Sequence, residues 1–294
     1  MAAKISIRFF NDKEVRAVWG EENHTWWFCV VDIVAILSES ENPAVYWRVM
    51  KNRLKAQGDQ TVTKCNAFKF LASDGKKRLF DTLDSDGVIQ LAKTFPGKKA
   101  TGFLDWFLYS DNSIDGQSKK KAYALFESGL LKNMEPGTVK CLQQIHAYIF
   151  GGLYDFAGQI RSKNISKGDF SFAPYQYFYM SLPAIEKMPE TTFDEIVDKY
   201  VEMNVAHPFM EGNGRSTRIW LDMIFKRSLK KCVDWSKISK NDYMDAMKSS
   251  ATDSTGIRTL LRSALTGKIH DREMFMKGID YSYYYESEDG NSDD

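Results

Sequence analysis

The stretch HPFMEGNGRSTR, residues 207–218, lies between two segments with the apolar periodicity of helices. Before it, TTFDEIVDKYVEMNVAH places its apolar side chains on one helical stripe. Thr192 and Glu195 in that segment predict a capping box at the start of the helix. After the stretch, STRIWLDMIFKRSL is a second amphipathic segment. The sequence therefore predicts a loop between two helices, and the end of the loop begins the second helix.

The Gly-Asn-Gly triplet of this stretch predicts a binding site for an anion. Gly212 and Gly214 allow a positive φ and a close approach of a ligand to the backbone. With Asn213 they stand at the start of a helix, where unpaired N–H groups face outwards. Arg215 and Arg218 are three residues apart and share one face of that helix. Because arginine binds phosphate in a bidentate manner, this pair suits a di- or triphosphate.

Two further side chains of the stretch indicate the chemistry. Glu211 offers an oxygen ligand beside the anion site, and magnesium commonly takes one or two carboxylates together with phosphate oxygens. His207 has an unperturbed pKa near neutrality and is the candidate general base. Each feature alone has a structural alternative: a capping histidine, a turn between helices, or arginines on a solvated helix face. Their coincidence in one short loop favours phosphoryl or nucleotidyl transfer.

The stretch matches the pattern H-x-F-x-[DE]-G-N-G-R-x-x-R of Fic-domain proteins at every fixed position, and the resemblance extends over about residues 112–294. It includes GGLYDFAGQIR and NISKGDFSFAP upstream. The resemblance implies transfer of AMP from ATP to a Ser, Thr or Tyr hydroxyl of a target protein, with release of pyrophosphate. His207 would then be the catalytic base, and Glu211 would hold Mg²⁺. The implied phosphate-binding residues are Gly212, Asn213, Gly214, Arg215 and Arg218.

The segment ISKGDFSFAP predicts a tight hairpin that turns near Gly168. In Fic proteins this position is a flap that pairs with the backbone of the target, so the resemblance implies that the target docks here. An ordinary surface hairpin is the alternative. The implied flap residues are Lys167, Gly168, Asp169 and Phe170.

The segment DYSYYYESEDG places Ser282 and Glu286 four residues apart, on one helical face. A carboxylate delivered to Arg218 would occupy the site of the γ-phosphate. Fic proteins carry such an inhibitory helix with the pattern [ST]-x-x-x-E-[GN], and this chain resembles the class in which the helix is C-terminal. Ser287 departs from the last position of that pattern. The same helix offers three hydroxyls whose self-modification would release the inhibition, on Tyr283, Tyr284 and Tyr285.

The first third of the chain mixes strand and helix patterns. FKFLASDGKKRLFDTL predicts a hairpin that turns at Asp74-Gly75, whereas VVDIVAIL, DGVIQLAKTF and KKATGFLDWFLY have helical spacing. Over about residues 4–110 this part resembles the N-terminal domain of phage antirepressor and BRO-type proteins, a class associated with DNA binding. The alternative is a recognition or oligomerisation module. The resemblance rests on Trp27, Asp32, Leu37, Gly87 and Trp106.

These patterns predict the fold class and three parts of the chain. Residues 1–110 form an α+β N-terminal domain of the BRO/antirepressor type. Residues 111–121 are a linker or the start of the next domain. Residues 122–294 form a mainly α-helical Fic domain with a small β-hairpin flap and the C-terminal inhibitory helix.

The composition bears on the partners and the cellular location of the protein. The chain has 294 residues and a net charge of +1, which by itself identifies neither nucleic acid nor a membrane as a partner. Four separated cysteines and the lack of a long apolar run predict a cytoplasmic protein with no membrane partner. We expect a target protein as partner, with a DNA topoisomerase such as gyrase suggested by the resemblance, and also DNA at the N-terminal domain and self-association.

Two alternatives to AMP transfer remain open. The first is another reaction on the same scaffold, namely transfer of UMP or phosphate or removal of AMP, because the loop residues bind phosphates rather than the base. The second is a DNA-binding regulator whose Fic domain senses ATP, which the small basic excess in the first third would suit.

Overall fold

The structure is a computed structural model that describes residues 4–59, 64–72, 74–168 and 170–287. The described residues form two compact units, an N-terminal unit that ends at Ser113 and a helical unit from Ile114 to Ser287. Of the predicted linker, residues 111 and 112 lie in a 3-10 turn and residues from Ile114 onwards are helical. That these units correspond to domains 1–110 and 122–294 stays a prediction, and residues 1–3 and 288–294 lie outside the described part.

The N-terminal unit is built on an antiparallel sheet. Its strands are β1 (Ile5–Phe10), β2 (Lys13–Gly20), β3 (Thr25–Cys29), β4 (Asn66–Leu71) and β5 (Lys77–Leu83), and its helices are α1 (Val30–Ser38), α2 (Pro43–Ala56), α3 (Ser85–Lys93) and α4 (Lys98–Tyr109). The strand order is β1-β2-β3-β5-β4. The predicted hairpin is confirmed, because Leu71 pairs with Lys77 across the turn that contains Gly75. Helices α1, α3 and α4 occupy the three segments with helical spacing.

Contacts inside this unit account for three of the five residues on which the antirepressor resemblance rests. Trp27 is buried and its ring centroid lies 6.0 Å from that of Phe68. Asp32 accepts a hydrogen bond of 2.8 Å from Nε of Arg16. At Gly87 there is no room for a side chain, since a Cβ would lie 2.8 Å from the side chain of Leu83. These residues have structural roles, and the likeness to antirepressor domains remains a prediction.

The helical unit contains the two helices predicted around the loop, one small hairpin formed by β6 and β7, and a short antiparallel pair formed by β8 and β9, which are distant in sequence. Its elements are α5 (Ile114–Glu127), α6 (Val139–Phe150), β6 (Ser166–Lys167), β7 (Phe170–Ser171), α7 (Phe178–Lys187), α8 (Phe193–Ala206), α9 (Asn213–Leu229), β8 (Cys232–Val233), α10 (Lys240–Ser249), α11 (Thr255–Ala264), β9 (Leu265–Thr266) and α12 (Arg272–Tyr284). The α+β first part and the mainly helical second part agree with the predicted fold class. Within the described ranges, no helix is long and apolar enough to cross a membrane.

Helix α9 is the centre of the helical unit, and its burial fixes the position of the loop that precedes it. It packs against α6, α8 and α12. Trp220, Leu221, Ile224 and Phe225 on it are fully buried, and each such side chain contributes about 1.5–3 kcal/mol. The capping box predicted for α8 is confirmed, since Thr192 and Glu195 each bond to the backbone of the other. Both helices that hold the loop are therefore anchored by local contacts and by the core.

Candidate functional site

The loop between α8 and α9 is held in shape by its backbone and by one side-chain amide. His207 ends α8 in the left-handed conformation with φ of 48°, and Gly212 precedes α9 with φ of 79°. A side chain at Gly212 is excluded because its Cβ would overlap the ring of Phe150. The amide of Asn213 accepts from the N–H of Phe209 and donates to its carbonyl, both at 2.8 Å. Contacts within the protein thus fix the loop.

His146 of α6 supports the loop from behind, and the sequence alone did not single it out. The N–H of Gly158 donates to its Nδ1, so a neutral ring carries its proton on Nε2, which donates to the carbonyl of Glu211 at 2.8 Å. The ring also stacks on Phe209 with centroids 3.9 Å apart. Burial lowers the pKa of His146 to about 4, so the ring is neutral near pH 7. The one feature of the sequence that could have indicated this role is the position of His146 among the apolar residues on the buried face of α6.

The ring of His207 is oriented to accept a proton. Its Nδ1 lies 3.1 Å from the carbonyl oxygen of Asn204. Since a carbonyl only accepts, Nδ1 carries the proton and Nε2 presents a lone pair. Phe172 stacks on the ring with centroids 3.7 Å apart, which fixes its plane. Burial lowers the pKa of His207 to about 4, so the ring is unprotonated near neutral pH.

Arg161 joins the segment before the β6–β7 hairpin to the end of α8. Its guanidinium donates to the carbonyls of His207 at 2.8 Å, Ala206 at 3.0 Å and Ala173 at 2.6 Å. Its backbone N–H donates to the carbonyl of Pro208 at 2.8 Å. The side chain is buried. Arg161 is the last residue of the segment GGLYDFAGQIR. The sequence did not predict that its side chain would hold His207.

The first turn of α9 brings together the residues predicted to bind phosphate. Arg215 is buried, and its guanidinium contacts two carboxylates. It hydrogen-bonds to Asp115 of α5 and, at 2.7 Å, to Oε1 of Glu211. Burial alone would lower the pKa of Arg215, but Asp115, Tyr283 and the carboxylates of Glu286 and Glu211 together outweigh burial and raise the pKa. This arginine is therefore cationic and is paired with two acidic residues.

Arg218 is only 2% exposed and is engaged by the C-terminal helix. Its Nε donates to Oγ of Ser282 at 2.7 Å, and its Nη2 donates to the carbonyl of Ser282 at 2.7 Å and to Oε1 of Glu286 at 2.6 Å. Its Nη1 donates to the hydroxyl of Tyr243 at 3.1 Å. A Cβ on Gly214 would overlap the carboxylate of Glu286, so this carboxylate lies against the first turn of α9. The structure therefore brings Ser282 and Glu286 to Arg218.

The carboxylate of Glu286 is charged at this position. Burial alone would raise the pKa of Glu286, but the guanidinium of Arg218 outweighs burial and holds the pKa below its usual value. The N-terminus of a helix also favours a negative charge. An anion therefore already occupies the end of the predicted phosphate site.

The three tyrosines beside Glu286 differ in accessibility. Tyr283 and Tyr285 are buried, whereas Tyr284 is partly buried. The hydroxyl of Tyr285 lies 2.7 Å from the carbonyl oxygen of Trp235 and 2.8 Å from that of Ile238. Self-modification of Tyr283 or Tyr285 would thus require α12 to detach first, and modification of these tyrosines stays a prediction.

The predicted hairpin near the loop is present. Lys167 of β6 pairs with Phe170 of β7 across a turn in which Gly168 has φ of 58°. Asp169, also predicted as part of the flap, lies outside the described residues. Nζ of Lys167 is 3.9 Å from Oε2 of Glu286, but this side chain is 66% exposed and the pair adds little stability. The hairpin therefore stands beside the end of the C-terminal helix, and its use as a flap stays a prediction.

Glu211, the predicted ligand of Mg²⁺, has a side chain that is 55% exposed. Within the described ranges there is no group of three or more His, Cys, Asp and Glu side chains that could hold a metal ion. Magnesium usually keeps waters and takes one or two carboxylates together with substrate phosphates. The single carboxylate of Glu211 therefore fits a magnesium ion that is held together with substrate phosphates.

Comparison with known proteins identifies the segment that contains this site. Residues 136–225 match the Fic/DOC family. Protein adenylyltransferase VbhT of Bartonella schoenbuchensis is 28% identical over 137 residues, which cover 42% of this chain and 28% of VbhT. Probable protein adenylyltransferase y4lH of Sinorhizobium fredii is 30% identical over 115 residues, which cover 35% of this chain and 59% of y4lH. The matches thus span less than two thirds of either relative.

The crystal structure of BepC with bound AMPPNP, a VirB-translocated effector of Bartonella tribocorum, aligns over 58% of this chain and 92% of BepC. The TM-score is 0.43 and the sequence identity is 17%. Residues 136–225, which match the family, lie within the predicted Fic domain and contain the loop, and the relatives above are named protein adenylyltransferase or probable protein adenylyltransferase.

Proposed function

We propose, from the premise that residues 136–225 form a Fic domain, that this protein transfers AMP from ATP to a hydroxyl of a target protein. The observation that carries the proposal is the ring of His207. Its Nδ1 proton is bound to Asn204, so Nε2 presents a lone pair beside a helix N-terminus that carries two buried arginines. A base next to a site for phosphates suits the attack of a hydroxyl on a nucleotide.

In the proposed reaction, the hydroxyl of a Ser, Thr or Tyr of the target gives its proton to Nε2 of His207. The hydroxyl oxygen forms a bond to the α-phosphorus of ATP. The bond from the α-phosphorus to the oxygen that bridges to the β-phosphate breaks, and pyrophosphate leaves. Bound phosphates would place negative charge near the ring, which would raise the pKa of His207 from about 4 towards the working pH.

The first turn of α9 would bind the phosphates in this reaction. Its backbone N–H groups and the guanidinium groups of Arg215 and Arg218 supply positive charge. The side chain of Asn213 is committed to Phe209, so Asn213 would contact phosphate through its backbone N–H. Glu211 would hold Mg²⁺ together with phosphate oxygens, and the ion would neutralise charge on the phosphates.

Inhibition by the C-terminal helix is part of the proposal. Glu286 and a terminal phosphate are both anions, and both would bind the guanidinium of Arg218 beside Gly214. Only one can be accommodated there, because the carboxylate fills the space against Gly214. Glu286 would therefore oppose the productive placement of ATP, and release of α12 would activate transfer.

Labelled ATP tests the reaction type. ATP labelled on either the α- or the γ-phosphate is incubated with magnesium and with cell lysate or purified gyrase as candidate target. Wild-type protein is compared with Glu286→Gly and His207→Ala. We expect protein-bound label only from the α-position, more of it with Glu286→Gly, and none with His207→Ala. Label only from the γ-position would identify a phosphotransferase, and release of AMP from modified protein would identify the reverse reaction.

DNA binding by the N-terminal unit is a second candidate function, and helix α2 favours it. The helix carries four basic residues and no acidic one, and Arg48, Arg53 and Lys55 are exposed on it. Trp47 and Leu54 bury the opposite face. Binding of duplex DNA should weaken steeply with salt. Replacement of any one of the three exposed cations by Gln should reduce the slope of log binding constant against log salt concentration by about one. A slope that the three replacements leave unchanged would exclude α2 as the contact surface.

A further inference from the structure

Asp115 contacts the phosphate-binding region from outside the loop. It lies in the first turn of α5, and its carboxylate hydrogen-bonds to Nη1 of Arg215, 100 residues further along the chain. The stretch SDNSIDGQSKKK, in which Asp115 occurs, carries no pattern that predicts such a contact. The contact makes Arg215 a buried cation with two carboxylate partners, Asp115 and Glu211.

Burial makes these two partners important for the position of Arg215. The guanidinium lies over the rings of Phe150 and Tyr283, at 5.0 and 5.6 Å from their centroids. Its Nε is buried and has no hydrogen-bond partner among the described residues. A buried charge that loses its partners is strongly disfavoured. Asp115 and Glu211 therefore help to set the direction in which this guanidinium points.

The two carboxylates have different duties in the proposed reaction. Glu211 is the proposed ligand of Mg²⁺, yet its Oε1 already accepts from Arg215 at 2.7 Å and from the N–H of Gly212 at 2.9 Å. A carboxylate oxygen that binds magnesium is less available to a guanidinium. Asp115 lies outside the motif loop and is held by its helix, where Oγ of Ser118 donates to its carbonyl at 3.1 Å. An acidic side chain in the first turn of a helix is also favoured electrostatically.

We propose that Asp115 is a positioning residue that holds Arg215 towards the phosphates while Glu211 binds magnesium. This inference rests on the proposed function. Without Asp115, Glu211 would be the carboxylate left to Arg215 among the contacts seen in the described residues. Magnesium would then have to displace an ion pair before it could bind Glu211. Loss of Asp115 should therefore raise the magnesium requirement more than it weakens ATP binding itself.

The test uses the full chain with Glu286→Gly as parent and adds Asp115→Asn. Calorimetry measures ATP binding across a magnesium titration, and α-labelled ATP measures AMP transfer over the same range. We expect the magnesium concentration for half-maximal effect to rise roughly two- to fivefold in both measurements. ATP binding without magnesium should change by less than about twofold, and saturating magnesium should restore most of the transfer.

Two further variants keep this test specific. Asp115→Glu retains the charge and should recover part of the loss. Glu202→Gln removes an exposed acidic side chain from α8 and should leave the magnesium requirement unchanged. Thermal unfolding of each variant checks that the fold is retained.

Several outcomes would overturn the inference. Tighter ATP binding or faster transfer in Asp115→Asn would show that Asp115 competes with phosphate instead. An unchanged magnesium requirement would show that Glu211 suffices for Arg215. If the parent binds ATP but transfers no AMP, the proposed function fails while the binding titration still tests Asp115. If the parent binds no ATP at all, both are wrong.

Discussion

Replacement of Glu286 is the perturbation for which the structure gives the largest expected gain in activity. The carboxylate accepts from Nη2 of Arg218 at 2.6 Å and lies against Gly214 at the start of α9. In Glu286→Gly this space is open to a terminal phosphate. We expect faster AMP transfer, above all at limiting ATP, because the nucleotide no longer has to displace a bound anion.

The size of the gain follows from the contacts that the carboxylate makes. A hydrogen bond between charged groups contributes about 1.5–3 kcal/mol, and an anion at a helix N-terminus adds about 0.3–1 kcal/mol. The Glu286 side chain is 19% exposed and that of Arg218 is 2% exposed, so solvent screens the pair little. A total of about 2–4 kcal/mol corresponds to a gain of roughly 30- to 700-fold, since about 1.4 kcal/mol is tenfold.

Initial rates with α-labelled ATP, over a range of ATP concentrations, measure this effect. Glu286→Gln keeps the size of the side chain but not its charge, and it should show an intermediate gain. Glu202→Gln, at an exposed position of α8, is the matched control and should match wild type. Thermal unfolding shows whether the fold survives, since Arg218 keeps the oxygen acceptors of Ser282 and Tyr243.

One result would refute the reasoning directly. If the folded Glu286→Gly protein and wild type have equal rates at every ATP concentration, the carboxylate does not compete with phosphate. If Glu286→Gln is as slow as wild type while Glu286→Gly is fast, the inhibition depends on bulk rather than on charge.

Three further predictions concern the residues that hold the loop. The pKa of His146 is about 4 in the folded protein and 6.5 in the unfolded chain, so between these values the unfolded chain binds more protons. As the pH falls from about 6.5 to 4, the free energy of unfolding should therefore fall by on the order of 3 kcal/mol. If urea unfolding of His146→Gln shows the same pH dependence as wild type, His146 is not its source. Asn213→Ala leaves buried backbone groups of Phe209 unpaired and should cost about 2–4 kcal/mol. Asn213→Asp keeps the acceptor and should cost less, and equal losses in chemical denaturation would contradict this. Arg161→Lys cannot match the spread of guanidinium donors and should slow transfer more than it weakens ATP binding, because it releases His207; a parallel loss of both would argue against that role.

The sequence predicts those parts of the fold and site that depend on local patterns. The helices before and after the loop follow from apolar periodicity, and Thr192 and Glu195 are close enough in sequence to mark the cap by themselves. The β4–β5 turn at Gly75 follows in the same way. Such features need only neighbouring residues, so their physical cause is visible in the sequence.

The supports of the loop could not be predicted because they come from helices that are distant in sequence. Asp115 reaches Arg215, and His146 reaches the carbonyl of Glu211, only after the helices have packed. Asn213 shows a second limit. An asparagine can bind phosphate or hydrogen-bond to the backbone of its own loop. In the structure its side chain makes the second kind of contact, with the N–H and carbonyl of Phe209.

The residues that hold the loop in its shape are not the residues proposed to carry out the reaction. Asn213 and His146 hold the loop by hydrogen bonds to its backbone. Neither of these side chains is the proposed base or a proposed phosphate-binding guanidinium, whereas His207 contributes its lone pair without bearing the loop's main hydrogen bonds. Substitution of His207 should therefore remove the proposed base while the hydrogen bonds of Asn213 and His146 keep the loop in its shape.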